Sequence, residues 1–235
     1  MNIKADFTAQ ININSQAIPH IDDPLAYLPV SSITEFRKGS LIYSAEQLSN
    51  RVYVVLSGNV KITRLGPDGS QVLMDVYQTD DFFGESCLVS SVDHEIATAL
   101  NSVRVMSWPA AQIRELVLRN PELAFSLLQL GVRRSVEFAD RIESFALDNI
   151  ERRLVAALLH FATKLGKAVA GGGRETIAFT HQELAEYVGT SREIITQLLN
   201  AFRRKGCLNY SRKSIVVFED ALSGRIAAER LPDAA

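Results

Sequence analysis

The residues with the clearest chemical potential lie between Thr190 and Lys213. Six basic side chains and one acidic one, Glu193, give this stretch of 24 residues a net charge of +5. Arg192 can donate two hydrogen bonds to guanine O6 and N7, Glu193 can accept one from cytosine N4, and Gln197 suits adenine. The positive charge can also attract a phosphate backbone. A solvated helix face would carry similar charges, so charge alone leaves both interpretations open.

The sequence predicts two helix starts near these side chains, one at Thr180 and one at Thr190. Thr180-His-Gln-Glu183 and Thr190-Ser-Arg-Glu193 both match a capping box, in which a hydroxyl and a carboxylate satisfy the first free backbone N–H groups. The short helix after the first box ends at Gly189, which can take a positive φ. The second helix places five apolar residues on one face: Ile194, Ile195, Leu198, Leu199 and Phe202. Two capped helices joined by a short glycine turn predict a helix-turn-helix.

The second helix of such a motif enters the major groove of DNA with its N-terminal turns. Polar side chains opposite the apolar face are expected to meet base edges, and the basic run Arg203–Lys205 is expected to meet phosphates. Residues 206–218 predict two strands and a basic turn, a wing with Arg212 and Lys213 at its tip. The predicted DNA-binding residues are Ser191, Arg192, Glu193, Thr196, Gln197, Asn200, Arg203 and Lys213.

The first half of the chain has a different pattern of apolar and turn residues. From Ser32 to about Trp108, short apolar runs are interrupted by turn residues every 8–12 positions, which predicts many short strands. Arg51–Gly58 and Asn59–Leu65 read as adjacent strands, and Gly66-Pro-Asp-Gly69 favours a turn. Strands at this spacing without intervening helices indicate a barrel, roll or sandwich.

A long helix is predicted from Pro121 over roughly 25 residues, or about 37 Å at 1.5 Å per residue. Such a length favours a helix that packs against the same helix of a second copy of the chain, although a helix buried in its own domain would also account for the pattern. Another helix is expected over Asp148–Lys164, and the three glycines after Ala170 predict a loop or hairpin. The apolar or small positions of the long helix are Leu127, Leu128, Gly131, Val132, Ser135, Val136, Ala139, Ile142, Phe145 and Ala146.

Composition narrows the class of protein. Hydrophobic residues make up 47% and charged residues 22% of the 235, which is typical of a globular chain with a real core. Met1–Gln16 lacks the apolar centre of a secretory signal, and no apolar run reaches the roughly 18–20 residues of a membrane span, so the cytosol is the expected compartment. Cys87 and Cys207 are expected to pack as small hydrophobes, without a zinc motif, metal or other cofactor.

The combination resembles the CRP/FNR family of bacterial regulators over about residues 20–220. The resemblance rests on five segments: Phe36–Gly39, Val52–Gly58, Asp80–Glu85, the long helix after Pro121, and Val188–Glu193. It implies an α+β chain with a cyclic-nucleotide-binding-like β-roll (20–120), a dimerisation helix (121–147) and a winged helix-turn-helix domain (148–220). It further implies a homodimer that binds a palindromic DNA site, with RNA polymerase as a candidate partner.

The sequence departs from the cAMP-binding members of this family. Where those members hold the cyclic phosphate with Arg-Ser, this chain has Glu95 and Ile96 after His94, and where they contact adenine it has Phe138-Ala139. We therefore expect a regulator that is not controlled by cAMP, the alternative being a cyclic-nucleotide-responsive regulator with an altered pocket. Residues that would line such an effector pocket are Gly84, Glu85, Arg134 and Phe138.

Two further functions remain as alternatives. An enzyme could use Asp80, Asp81 and Glu85 as acid and base groups, but the sequence shows no nucleophile, metal set or phosphate loop beside them. His20 and His94 could bind haem, although an isolated histidine more often lies on the surface or has a protein partner.

Oxidation of Cys207 could impair DNA binding, a hypothesis that Cys207→Ser would contradict if peroxide sensitivity stayed unchanged.

Overall fold

The computed structural model describes residues 23–44, 46–89, 95–211 and 213–222. His20, His94 and Arg212, together with the segment Met1–Gln16, lie outside these ranges. In the described part, no helix combines the length and apolar character that crossing a membrane requires.

The first half folds as two packed antiparallel sheets of four strands each. The strands are β1 (Ser32–Phe36), β2 (Leu41–Tyr43), β3 (Arg51–Ser57), β4 (Val60–Leu65), β5 (Gln71–Tyr77), β6 (Phe82–Phe83), β7 (Glu95–Ala99) and β8 (Val103–Pro109). One sheet has the order β1-β8-β3-β6 and the other the order β2-β7-β4-β5, which confirms the predicted β-rich fold. The turn predicted at 66–69 joins β4 to β5, and these two strands pair. The strands that were predicted as adjacent, β3 and β4, instead lie in different sheets.

Aromatic side chains fill the interior of this β-roll. Tyr53 and Phe83 stack with ring centroids 4.9 Å apart. The Tyr43 ring lies 5.8 Å from the Tyr53 ring, and the Tyr77 ring lies 6.2 Å from the Phe83 ring. All four side chains are buried. Gly84 closes the layer with a φ of 80°, and a Cβ there would lie 2.9 Å from the carbonyl oxygen of Arg51, so only glycine fits. The interior of the roll is therefore a packed aromatic core.

Two helices follow the roll. α1 (Ala110–Arg119) and α2 (Pro121–Leu147) meet at Asn120, whose side chain accepts from the backbone N–H of Glu122, with Pro121 in the first turn. Leu123 and Ser126 of α2 are buried, and Leu127 packs against the roll rather than on the predicted outer seam. The outer face of α2 keeps large apolar side chains in solvent: Phe125, Leu128, Val132, Val136 and Ile142. Phe145, which was predicted on the same face, instead lies against Gly189.

The last part is a three-helix unit with a small sheet. Its elements are α3 (Ile150–Leu165), β9 (Lys167–Val169), β10 (Gly173–Ile177), α4 (His181–Val188), α5 (Arg192–Arg204), β11 (Leu208–Tyr210) and β12 (Ser214–Val217), with the sheet order β11-β12-β10-β9. α3 begins two residues later than the predicted Asp148, because Asn149 caps it. The glycine run forms the β9–β10 hairpin, and Cys207 is buried among apolar residues as expected.

This unit packs directly on β4 and β5 of the roll. Leu73 and Val76 of β5 belong to the same buried cluster as the core of the three-helix unit. Asp75 accepts from His160 and Lys164 of α3. Burial alone would raise the pKa of Asp75, but these two partners lower it, so the carboxylate is ionised at neutral pH.

Candidate nucleic-acid interface

The predicted helix-turn-helix is present, with α4 and α5 as its two helices. Thr180 caps α4: its hydroxyl accepts from the N–H of Glu183, and the Glu183 carboxylate accepts from the N–H of Thr180. Glu183 also pairs with Lys61 of β4 at 2.8 Å, a link that the sequence did not suggest. Gly189 ends α4 with a φ of 73°, and a Cβ there would lie 2.7 Å from the ring of Phe145. The turn thus needs glycine for its conformation and for its close approach to α2.

The cap of α5 differs from the prediction. Ser191 rather than Thr190 is the N-cap, and its hydroxyl accepts from the N–H of Ile194, so Thr190-Ser-Arg-Glu193 does not form the predicted capping box. The helix begins one residue later because Thr190 still belongs to the turn, where its N–H donates to the carbonyl of Ala185. The Ser191 hydroxyl is therefore engaged in capping the helix start.

α5 presents its polar face to solvent. Ile195, Leu199 and Phe202 are buried on the opposite face, which gives the helix the predicted amphipathic arrangement. The pKa of Glu193 is lowered by backbone and Ser191 hydrogen bonds at the helix start, so this carboxylate is ionised and can accept from a base. The exposed side chains include Arg192, Glu193, Gln197, Asn200 and Arg203.

Two residues that the sequence analysis did not single out, His181 and Tyr210, orient side chains on this face. The Thr196 hydroxyl donates to the carbonyl of Arg192 at 2.8 Å, so it must accept from Nδ1 of His181 at 2.7 Å. The Tyr210 hydroxyl donates to Oδ1 of Asn200 at 2.9 Å. Burial, reinforced by the charge of Arg192, lowers the pKa of His181, so its ring is neutral at pH 7. The sequence offered one indication of this role for His181, namely its position directly after Thr180, the N-cap of α4.

The wing forms as predicted between β11 and β12. The Ser211 hydroxyl accepts from the N–H groups of Lys213 and Ser214, which shapes the turn. The Lys213 side chain is exposed at this tip, while its carbonyl accepts from the N–H of Ala178. The tip is therefore fixed through its backbone, while no side chain in the part of the chain that the structure describes pairs with the Lys213 ammonium group.

The four predicted effector-pocket residues do not line one cavity. Gly84 borders a cavity of about 30 Å³ beside Tyr43 and Glu95, which is room for one water. Arg134 and Phe138 border a separate cavity of about 200 Å³ between α2 and the helix-turn-helix. Glu85 lines neither of these cavities and pairs with Arg134. Among the described residues, no cluster of side chains suits a metal ion.

Comparison with known proteins gives two matching family models. Residues 33–120 match the model of the cyclic nucleotide-binding domain, and residues 152–222 match the model of the Crp-like helix-turn-helix domain. The two matches cover the β-roll with α1 and the winged helix-turn-helix, and α2 lies between them.

Relatives along most of the chain include characterised regulators. A CRP-like cAMP-activated global transcriptional regulator of Mycobacterium tuberculosis is 27% identical over 194 residues, covering 82% of this chain and 87% of the relative. A global nitrogen regulator of Nostoc is 27% identical over 203 residues, covering 85% and 90%.

Solved structures show the same architecture. FixK2 from Bradyrhizobium japonicum superposes with a TM-score of 0.72 at 20% identity, over 83% of this chain and 97% of that one. A CRP/FNR-family transcriptional regulator from Thermus thermophilus has a TM-score of 0.66 at 26% identity, over 82% and 97%. The arrangement of roll, long helix and winged helix-turn-helix is thus shared.

Proposed function

Because the chain belongs to the CRP/FNR family of transcription regulators and has a DNA-binding helix-turn-helix, we propose that it acts as a homodimer on palindromic duplex DNA and is not controlled by cAMP. The sensor, dimerisation and DNA-binding parts are assigned to residues 20–120, 121–147 and 148–220. RNA polymerase is the further partner that this function calls for.

One observation carries the proposal: the groove-entering end of α5 points to solvent while its opposite face is buried. Arg192, Glu193 and Gln197 are exposed on the first two turns, where base edges come within reach in a helix-turn-helix. Thr196 and Asn200 add a hydroxyl and an amide whose orientations are fixed by His181 and Tyr210. Ser191, Arg203 and Lys213 would meet the phosphates on either side.

We expect Arg192→Ala to weaken binding to the preferred site by about 1–3 kcal/mol and to relax the preference at one base pair. The lost contact is a bidentate pair with guanine, which random DNA rarely offers in register. Selecting sites from a random duplex library with the wild type, then measuring both proteins on the selected site and on random duplex, tests this. Equal losses on the two duplexes would remove Arg192 from the base-reading set.

Lys213→Ala should weaken binding to both duplexes by the same factor. An ammonium group at the wing tip would displace counterions without reading bases, so the slope of log K against log salt should fall by about one. The matched control is Lys38→Ala, because Lys38 is an exposed lysine between β1 and β2 of the roll, outside the winged unit, and its loss should leave the slope unchanged. An unchanged slope for Lys213→Ala would exclude it from the phosphate contacts.

The packed roll supports independence from cAMP. The Tyr43 hydroxyl donates to Glu95, at the position where family members hold the cyclic phosphate, and the Glu95 carboxylate would repel that phosphate. Burial, followed by the Glu95 charge, raises the pKa of Tyr43, so the phenol remains a donor. We expect isothermal titration calorimetry with cAMP and cGMP to give no binding heat. Saturable heat with either nucleotide would favour the alternative, a responsive pocket like that of the cAMP-activated relative.

A further inference from the structure

One cavity lies where α2, β5, α3 and α4 meet. Its volume of about 200 Å³ corresponds to roughly seven waters at about 30 Å³ each. Phe138 and Phe145 of α2, His160 of α3 and Tyr187 of α4 contribute aromatic walls. Flat apolar walls of this kind suit the body of a small organic molecule.

Two guanidinium groups enter the same cavity without a carboxylate partner. Arg153 lies over the Phe145 ring at 5.1 Å, and it forms no ion pair within the described part of the chain. Arg141 also stacks on Phe145, at 5.4 Å, and donates only to backbone carbonyls. The Nε atoms of both arginines are buried and have no hydrogen-bond partner in the structure. Buried donors on uncompensated charges are costly unless a ligand satisfies them.

The acidic side chains nearby do not neutralise this pair. Asp75 acts on Arg141 through space, but no ion pair joins the two side chains, and the Asp75 oxygens already accept from His160 and Lys164. Glu137 and Asp140 border the cavity but are exposed on α2, where solvent screens them. These two carboxylates at the rim also disfavour multiply charged ligands such as nucleotides.

We propose that this cavity binds a small organic monoanion with a flat apolar body, its carboxylate received by Arg141 and Arg153. Guanidinium groups bind carboxylates through charge-assisted hydrogen bonds, and the aromatic walls bury the rest of the molecule. The site lies outside the packed interior of the roll. Tyr77 borders the cavity on the side of the roll, and Phe83, which stacks on the Tyr77 ring, fills the interior behind it together with Tyr43 and Tyr53.

Such a ligand would join the long helix to the helix-turn-helix. Phe145 contacts the turn at Gly189, and Nη1 of Arg153 lies 3.6 Å from a Cβ built there. A ligand bound in this cavity would fix the position of the turn at Gly189 relative to α2, and thereby the spacing of the two recognition helices in a dimer. This consequence for DNA rests on the proposed function, whereas the binding itself does not.

Benzoate and its uncharged counterpart benzamide test the proposal on the full chain. By isothermal titration calorimetry, we expect benzoate to bind with a Kd of about 1 mM or tighter and benzamide at least about tenfold more weakly. Arg153→Gln should weaken benzoate binding by about tenfold or more, and Arg153→Lys by less, because it keeps the charge. The matched control is Arg152→Gln, since Arg152 pairs with Asp148 outside this cavity and should leave benzoate binding unchanged.

Equal binding of benzoate and benzamide would overturn the anion site, and so would benzoate binding that Arg153→Gln leaves intact. Absence of benzoate heat with the wild type would overturn it as well. A thermal unfolding scan of each variant ensures that the loss of binding is not a loss of folding. Affinity for random duplex DNA, measured without benzoate, separates this result from the proposed function: the DNA-binding proposal stands if the DNA is bound while benzoate is not.

Discussion

Val132→Glu is expected to convert the proposed dimer to a monomer and to lower its affinity for a palindromic site by about a hundredfold or more. Val132 is 55% exposed on the outer face of α2, between Leu128 and Val136, which are 61% and 55% exposed. In a symmetric dimer each substitution would place two carboxylates in an apolar seam. A monomer loses the second half-site contact, and linked binding typically contributes about 10²–10⁴ in affinity.

Analytical ultracentrifugation and a gel-shift titration measure the two effects. Leu118→Glu is the matched control, because Leu118 is 80% exposed on α1, away from the outer face of α2. This variant should remain dimeric and bind DNA like the wild type. The dimer proposal fails if Val132→Glu still sediments as a dimer, and bivalent reading fails if the monomer binds the palindrome as tightly as the wild type does.

The sequence was most informative where structure depends on neighbouring residues. The Thr180 capping box, the turn at Gly189 and the apolar face of α5 are local patterns with strong physical requirements, and all three are present. The start of α5 was predicted one residue early because both Thr190 and Ser191 are good caps, and the choice between them depends on the turn geometry.

Contacts between distant segments could not be predicted in the same way. Lys61 and Glu183 are 122 residues apart, and Glu183 already had a complete local explanation in the capping box. The stacking of Tyr43, Tyr53, Tyr77 and Phe83 requires the strand order of the two sheets, which alternation of apolar residues does not determine. For the same reason, Gly84 and Phe138 could be assigned to one pocket on the sequence although they border different cavities.

Arg141 illustrates how such distant contacts control the position of the helix-turn-helix. From α2, its guanidinium donates to the carbonyls of Leu73 and Met74 in β5, both at 2.9 Å, and to that of Tyr187 in α4 at 2.7 Å. It also lies 4.0 Å from the Tyr187 ring centroid. Burial lowers the pKa of Arg141, so these contacts offset a real cost of burying its charge. One side chain therefore joins the roll, the long helix and the DNA-binding unit.

Arg141→Met should consequently lower the free energy of unfolding by about 3 kcal/mol or more, since each part-buried carbonyl left without a donor costs about 1–3 kcal/mol. Because the three carbonyls belong to β5 and α4, the loss should fall on the packing between the roll and the helix-turn-helix. In differential scanning calorimetry we expect the transition to move to lower temperature and to separate into two. Arg133→Met is the control, because Arg133 is exposed on the same helix. If both variants unfold like the wild type, Arg141 does not hold the two units together. The position of α5 must then be set by the remaining contacts, among them the apolar contacts of Leu73 and Val76 and the Lys61–Glu183 pair.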